Sequence, residues 1–314
     1  MSTIGWIVPT WPPREAYVTK LKDSFNIFAT DVDLIIVWSR KKDNFLRGND
    51  KIKSLFLDDY FSSEDIELFE LTKSIINVKK IFGLLHEYQN YKGLICTDDE
   101  IEFVRSFNGL DLLDRFTNFK HFSATDISIS DSKNSVLKKI LMESSKLLIT
   151  SKDRARIAAI THNFTLYSWF SDLPYYNSRD IPDFLDKFGL SEYKDLIKLS
   201  FYTFDHILYQ YYCVLYLNKE YVVCNWKYTN TKIIYNWFEC FHVKPLNHEY
   251  INEFQTKFSP SWSSSKELLD TFTSAICVFH TDRSHIRYSS YFEVKHHLKK
   301  IFMILFPFYS KILK

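Results

Sequence analysis

The stretch YKGLICTDDEIEF, residues 91–103, decides how the rest of the chain is interpreted. Its apolar run, residues 92–97, is typical of a buried β-strand, and three acids, Asp98, Asp99 and Glu100, follow it directly. In an open parallel sheet, ligands bind at the carboxyl ends of the strands. Carboxylates there can hold Mg²⁺ or Mn²⁺, which proteins usually bind through a few carboxylates together with ligand phosphates. The stretch predicts a strand that ends either in a metal and nucleotide site or in a solvated acidic turn.

Two further apolar runs precede this stretch. IGWIVPT, residues 4–10, is closed by a proline and suits a buried first strand. DLIIVWS, residues 33–39, is continuous and β-branched, as expected of a parallel strand that is covered on both faces. Helical patterns at residues 12–25 and 73–88 separate the three strands, while residues 40–50 are polar and predict a surface loop. This alternation predicts a mostly parallel α/β sheet.

Beyond Ser106 the pattern becomes mainly helical. The expected helices are residues 136–149, 152–164, 180–188 and 196–217, and the expected strands are 221–226 and 233–238. The Ser-, Asp- and Thr-rich residues 123–135 are the best candidate for a loop between two halves.

Composition excludes several classes of function. The 314 residues are 46% hydrophobic and 25% charged, which indicates a globular protein. With only 6 glycines and no GxGxxG or GxxxxGK[ST] motif, the phosphates of a bound nucleotide would have to be neutralised by other means, such as a metal held by carboxylates. The net charge of +2 gives no indication of nucleic-acid binding.

The five cysteines are scattered and form no CxxC pair, so neither a zinc site nor a disulfide framework is indicated. Residues 1–11 lack the order of a signal peptide, and no apolar run approaches the roughly 18 residues that span a bilayer. We therefore expect a cytoplasmic protein.

The first 105 or so residues resemble the glycosyltransferases of the GT-A fold. The resemblance rests on four segments: IGWIVPTW, DLIIVWS, NVKKIFGLLHEY and YKGLICTDDEIEF. It implies a Rossmann-like, nucleotide-sugar-binding α/β sheet followed by a mixed, helix-rich acceptor part. In this group an acidic D-x-D motif, about a hundred residues after the first strand, binds the metal and the ribose or diphosphate of the sugar nucleotide. Here the motif ends in Glu100 where Asp is commoner.

Carried over, the resemblance implies a set of donor-binding residues: Pro9, Thr10 and Trp11 beside the base, Ser39 at the end of the second strand, and Asp98 and Asp99 at the ribose and diphosphate. Many relatives have an acid that reads the uracil ring at the place of Ser39. The donor is thus expected to be a UDP-, CMP- or GDP-linked sugar, and the sequence does not decide which of these bases it carries.

The metal, Mn²⁺ or Mg²⁺, is expected on Asp98 and Glu100, with His280 as a third ligand. His280 follows the apolar residues 275–279, and several metal-dependent enzymes of this fold complete the coordination with a histidine from near the C-terminus. The alternative is a histidine that ends a strand and bonds to backbone.

Residues 161–183 are dense in aromatic side chains with interleaved acids, a composition that suits a sugar acceptor or, equally, an aromatic core loop. An inverting transfer needs a carboxylate as general base for the acceptor hydroxyl. The candidates are Asp172, which ranks first, Asp180 and Asp205.

The last residues, 291–314, combine an apolar stripe at helical spacing with flanking lysines. Such a helix can lie on an anionic membrane surface or pack on the core.

We divide the chain into a nucleotide-sugar-binding half (1–125), an acceptor-binding half packed on it as one globular unit (126–290), and a basic amphipathic helix (291–314). The expected function is metal-assisted transfer of a sugar to a bacterial surface polysaccharide, such as capsule or lipopolysaccharide, or to a lipid-linked glycan. The alternatives are a metal-dependent nucleotidyltransferase or phosphoryl hydrolase, and a non-catalytic carbohydrate- or membrane-binding protein.

Overall fold

The computed structural model describes residues 2–11, 14–46, 51–99, 101–103, 106–118, 121–125, 135–162, 174–224, 238–242 and 276–280. The strands are β1 (Ile4–Pro9), β2 (Ala29–Thr30), β3 (Val32–Trp38), β4 (Ile52–Phe56), β5 (Gly93–Cys96), β6 (Ile101–Phe103), β7 (Phe107–Asn108), β8 (His121–Thr125), β9 (Tyr175–Asn177), β10 (Glu220–Cys224), β11 (Phe238–His242) and β12 (Ile276–His280). The α-helices are α1 (Glu15–Phe28), α2 (Ser63–Leu71), α3 (Ile75–Glu87), α4 (Gly109–Asn118), α5 (Ser135–Lys146), α6 (Ser151–Ile160), α7 (Ile181–Lys187) and α8 (Asp205–Leu215).

A five-stranded sheet in the order β4-β3-β1-β5-β9 forms the centre of the fold. Its first four strands are parallel, and β9 is antiparallel to β5. Every residue of β1 and β5 is buried, which explains why these strands are continuous apolar runs rather than alternating ones. The predicted α/β class with a mainly parallel sheet is confirmed.

Alternate residues of the sheet face two separate apolar layers. Ile7, Ile35 and Leu94 lie in the layer that also contains side chains of α2, α3 and α5–α8. Trp6 and Ile36 lie in the other layer, with side chains of α1, β6 and α4. The sheet is therefore covered on both faces, as the apolar runs predict.

The chain after residue 125 contributes to the same sheet and core. The register of β9 sets Tyr175 opposite Ile95 and Asn177 opposite Gly93, the first residue of β5. α7 and α8 pack on α3.

The remaining strand pairs are smaller. β8 pairs with β10, β2 with β7, and β12 lies between β11 and β6. In the part of the chain that the structure describes, no helix is long and apolar enough to cross a membrane. The predicted C-terminal helix at 291–314 lies outside that part.

The predicted strands and helices of the first hundred residues are present, with ends shifted by a few residues. β4 and α2, between β3 and α3, were not expected from the sequence. The helix predicted at 196–217 is wrong in its first half, because a 3-10 helix (Tyr193–Lys198) and a loop precede α8. Of the strand predicted at 233–238, only Phe238 lies in β11, and the rest is outside the described residues.

Candidate functional site

The order of the central strands reverses between β1 and β5. From β1 the chain continues to β3 and β4 on one side of β1, and it then returns to β5 on the other side. In open α/β sheets the carboxyl edge at such a reversal is the usual ligand site, and we call this edge between β1 and β5 the crevice. Thr10 follows β1, and Asp98 and Asp99 follow β5.

Asp99 ties the two loops of this crevice together. Thr10 Oγ1 and Arg14 Nε donate to Asp99 Oδ2 over 2.7 and 2.9 Å. Arg14 Nη2 lies 2.7 Å from Asp99 Oδ1, so both carboxylate oxygens hold protein partners. Arg14 and Asp99 are only 4% and 3% exposed. Asp99 therefore acts as a buried clamp between the β1 loop and the β5 loop.

Helix α3 supplies two lysines to the same edge. Lys79 is 1% exposed, and its ammonium donates to the carbonyl oxygen of Thr10. Burial lowers the pKa of Lys79 to about 8, although attraction to Glu70, Asp43 and Asp99 acts in the opposite direction.

Lys80 lies between two carboxylates. Its ammonium is 3.0 Å from Asp98 Oδ1 and 3.8 Å from Asp205 Oδ1. The side chain of Asp98 is 37% exposed, whereas that of Asp205 is 1% exposed. Burial alone would lower the pKa of Lys80, but the two carboxylates more than offset it and raise the pKa above its usual value.

Asp205, at the start of α8, is the buried end of this set. Tyr176 in β9 donates its hydroxyl to Asp205 Oδ2. Burial alone would raise the pKa of Asp205, but Lys80 and His206 lower it to about 2. Asp205 is therefore ionised at neutral pH and pairs with Lys80.

Close packing of α3 on β1 explains why the two lysines reach the crevice. A Cβ atom at Gly83 would lie 2.7 Å from Ile7 Cγ2, so only glycine allows this approach without a shift. α3 runs antiparallel to β1, with its N-terminal half at the carboxyl edge and Glu87 at the amino edge. One turn N-terminal to Gly83, Lys79 and Lys80 are thereby held at the carboxyl edge.

The crevice brings together four of the residues expected from the sequence: Thr10, Asp98, Asp99 and Asp205. Pro9 ends β1 at this edge, and Trp11, 38% exposed, follows Thr10. Ser39 lies at the carboxyl end of the adjacent strand β3 and is 4% exposed.

Asp180 lies elsewhere. It follows β9 beyond Asn177, whose register partner is the first residue of β5, so it is near the opposite edge of the sheet. The hydroxyl of Tyr209 donates to Asp180 Oδ2 over 3.2 Å. Burial raises the pKa of Asp180, and this hydrogen bond offsets part of the rise.

Three expected residues cannot be placed by side chain. Glu100 and Asp172 lie outside the described residues. His280 is the last residue of β12, and its backbone pairs with Ile101 in the antiparallel register. Among the side chains that the structure does describe, no three or more His, Cys, Asp or Glu converge as a metal site.

The sequence interpretation missed the basic half of this cluster. Arg14, Lys79 and Lys80 were visible in the sequence, but nothing in their spacing indicates that Arg14 and Lys80 meet acids 18 to 125 residues away. The available signal was the pair of lysines inside an apolar helical pattern. A lysine that helical periodicity places on the buried face needs a charged or polar partner.

An open, mainly parallel sheet with charged side chains gathered where the strand order reverses is typical of nucleotide-binding α/β proteins. No protein-family model matches the sequence. No curated protein matches the sequence either. Among solved structures, the apo form of mouse xyloside xylosyltransferase 1 is similar, with a TM-score of 0.39 and 10% sequence identity over 91% of this chain and 99% of that chain. At so low a TM-score this likeness does not identify a function.

Proposed function

We propose that the protein is a glycosyltransferase that binds a nucleotide-sugar donor in the crevice between β1 and β5. The observation that supports this most is that two sets of polar contacts lie where the strand order reverses: Thr10 with Asp99, and Lys80 with Asp98 and Asp205. Such a crevice is the usual ligand site of an open α/β sheet. Asp98 has the most exposed carboxylate of this set, and in the proposal it faces the ribose and diphosphate.

The charges of the crevice support a role for a divalent cation. Three basic side chains and three carboxylates contact one another or the adjoining loop: Arg14, Lys79, Lys80, Asp98, Asp99 and Asp205. Their charges sum to zero when all are ionised. A diphosphate adds several negative charges, so its binding requires additional positive charge.

Asp98 is suited to hold such a cation, because its side chain is 37% exposed at the crevice. Asp99 is not, because both of its oxygens hold Arg14 and Thr10. We propose Mn²⁺ or Mg²⁺ on Asp98, with Glu100 and His280 as further ligands. A bound ion would stabilise the charge that develops on the leaving diphosphate.

The general base is a separate question. Asp205 is buried and paired with Lys80, which makes it a poor acceptor of a proton from a substrate hydroxyl. Asp180 is near the other edge of the sheet. Asp172 stays the first candidate.

The acceptor in this proposal is a surface polysaccharide or a lipid-linked glycan, with capsule and lipopolysaccharide as the expected products. The enzyme would act in the cytoplasm, and residues 291–314 would attach it to the inner face of the membrane.

Thermal-shift titration tests the proposal, with UDP, GDP, CMP, their sugars, nucleoside triphosphates and glycans as ligands, each with Mn²⁺ or with EDTA. A ligand at a hundred times its dissociation constant stabilises by roughly 2.7 kcal/mol. We expect one nucleotide to stabilise the wild type more with Mn²⁺, and Asp98→Asn and Glu100→Gln to lose the metal-dependent part. Stabilisation by nucleoside triphosphates alone would favour a nucleotidyltransferase, and stabilisation by glycans without any nucleotide would favour a non-catalytic binder.

A further inference from the structure

We infer that Lys80 is the side chain that binds the diphosphate of the donor. This inference rests on the proposed function and names the basic side chain that contacts the phosphates of the donor. It follows from the position of Lys80, from the engagement of the other basic groups at this edge, and from the carboxylate that holds Lys80 in place.

The position comes first. The ammonium of Lys80 is 3.0 Å from Oδ1 of the partly exposed Asp98, at the carboxyl edge where the strand order reverses. Its side chain is 12% exposed, so it is mostly buried but keeps some contact with solvent. A ligand phosphate that approaches Asp98 therefore comes within reach of this ammonium.

Arg14 and Lys79, the basic side chains that contact the β1 loop beside Lys80, are committed to that loop. Arg14 holds both oxygens of Asp99 and is 4% exposed. Lys79 is 1% exposed and donates to the carbonyl of Thr10. If either turned towards a ligand, the contact that fixes the β1 loop would break. Within the described part of the chain, Lys80 has ion pairs with two carboxylates, those of Asp98 and Asp205.

Asp205 makes Lys80 suitable for this task. Two carboxylates face one ammonium, and only Asp98 is exposed enough to turn towards a ligand. Asp205 stays behind, fixed by the hydroxyl of Tyr176. Lys80 thus keeps a charge partner when Asp98 turns away, and its ammonium is preorganised for an anion. Lysine commonly binds phosphate as a point charge in this way.

Isothermal titration of wild type, Lys80→Met and Lys80→Arg with UDP, GDP and CMP, with and without Mn²⁺, tests the inference. The nucleotide that binds wild type is then compared with its own nucleoside, which carries no phosphate. We expect Lys80→Met to lower the affinity for the nucleotide by about 10- to 100-fold and to leave that for the nucleoside within about twofold. Lys80→Arg keeps the charge and should restore most of the nucleotide affinity.

Lys53→Met is the matched control. Lys53 is also paired with a buried carboxylate, Glu87, at 2.6 Å, but at the opposite end of α3. Lys53→Met should lower the free energy of unfolding and leave the affinity for the nucleotide unchanged. Equal losses for nucleotide and nucleoside in folded Lys80→Met, or no loss for either, would overturn the inference and leave the proposed function standing. If no nucleotide binds wild type with or without Mn²⁺, the proposed function itself fails and the inference fails with it.

Discussion

At the scale of single residues, the site is organised by charges that are almost completely removed from water. Arg14 and Asp99 form a buried, two-point ion pair. Removing two charges from water costs about as much free energy as their attraction returns, so such a pair adds little net stability. Removing only one of the two side chains is different, because the other charge then stays buried without its partner.

Asp99→Ala should therefore lower the free energy of unfolding by about 3–5 kcal/mol. The expected cause is the buried guanidinium of Arg14, so Arg14→Met combined with Asp99→Leu should recover much of the loss. Urea denaturation of the three proteins measures this. Arg156→Ala, which removes a half-exposed ion pair with Asp153, is the control and should cost about 0–1 kcal/mol. A double variant as unstable as Asp99→Ala would contradict the explanation.

Lys79 gives a dependence of stability on pH. Burial lowers its pKa in the folded protein to about 8, whereas in the unfolded chain it is near 10.5. Between these values the unfolded chain binds more protons, so this group makes stability rise with pH. We expect wild type to gain stability relative to Lys79→Met between about pH 8 and 10. Urea denaturation of both proteins across this range measures the difference. A constant or falling difference would show that the pKa of Lys79 is not lowered in the folded protein.

The acids of the site could be predicted from the sequence, and their partners could not. Asp98 and Asp99 follow an apolar strand directly, so strand periodicity and the rule for parallel sheets are enough to place them. Lys80 meets Asp205 across 125 residues of chain, and this contact depends on how α8 packs against α3. Local patterns carry no information about such a contact.

At the scale of secondary-structure elements, the approach of α3 to β1 positions the site. Gly83 faces Ile7 so closely that a methyl group would overlap it. Lys79 and Lys80 lie about one turn earlier on the same helix, so a shift of α3 would displace both ammonium groups. The packing of this helix on the sheet is therefore coupled to the geometry of the crevice.

Gly83→Ala tests this coupling. In an isolated helix, alanine is more favourable than glycine by about 1 kcal/mol. Overpacking against Ile7 costs about 1–3 kcal/mol, so we expect a net destabilisation of up to about 2 kcal/mol. In an Ile7→Ala background the new methyl group would fill space, so the same substitution should become stabilising. Urea denaturation of the four proteins of this double-mutant cycle measures the coupling, and additive effects would argue against close contact.

The elements themselves were predictable where their apolar periodicity is strong. β1, β3 and β5 are continuous apolar runs that are almost entirely buried, and α3 is a 13-residue helix that buries Val78, Ile81 and Phe82. β4 was missed because most of its residues are only half-buried, which weakens the apolar signal. α2 begins with a capping box between Ser62 and Asp65, a local signal that the sequence did offer.

At the scale of the whole molecule, the two parts of the chain share one sheet and one apolar layer. β9 extends the sheet that β1 to β5 begin, and the layer over Ile7 and Leu94 includes residues of α5 to α8. Removing either part would expose apolar surface of the other. We therefore expect the described parts of the nucleotide and acceptor halves to unfold together.

Two cysteines report on this expectation. Cys96 lies in β5 and Cys213 in α8, and both thiols are free and buried. Burial raises the pKa of both, that of Cys213 to about 12. Because the thiolate is the reactive form, a thiol reagent modifies each cysteine only after the surrounding structure opens. The wild-type chain is labelled with iodoacetamide at increasing urea concentration, and peptide mass spectrometry then follows the two cysteines separately.

If the core is one cooperative unit, both cysteines should open with the same free energy and the same dependence on urea. Both values should also equal those of global unfolding measured by circular dichroism. A tightly bound nucleotide at the crevice should then protect Cys213 as much as Cys96, although α8 is in the other half of the sequence. Labelling of Cys213 at a clearly lower urea concentration, with Cys96 still protected, would mean that α5 to α8 unfold separately. The shared apolar layer would then contribute little to the stability of the nucleotide half.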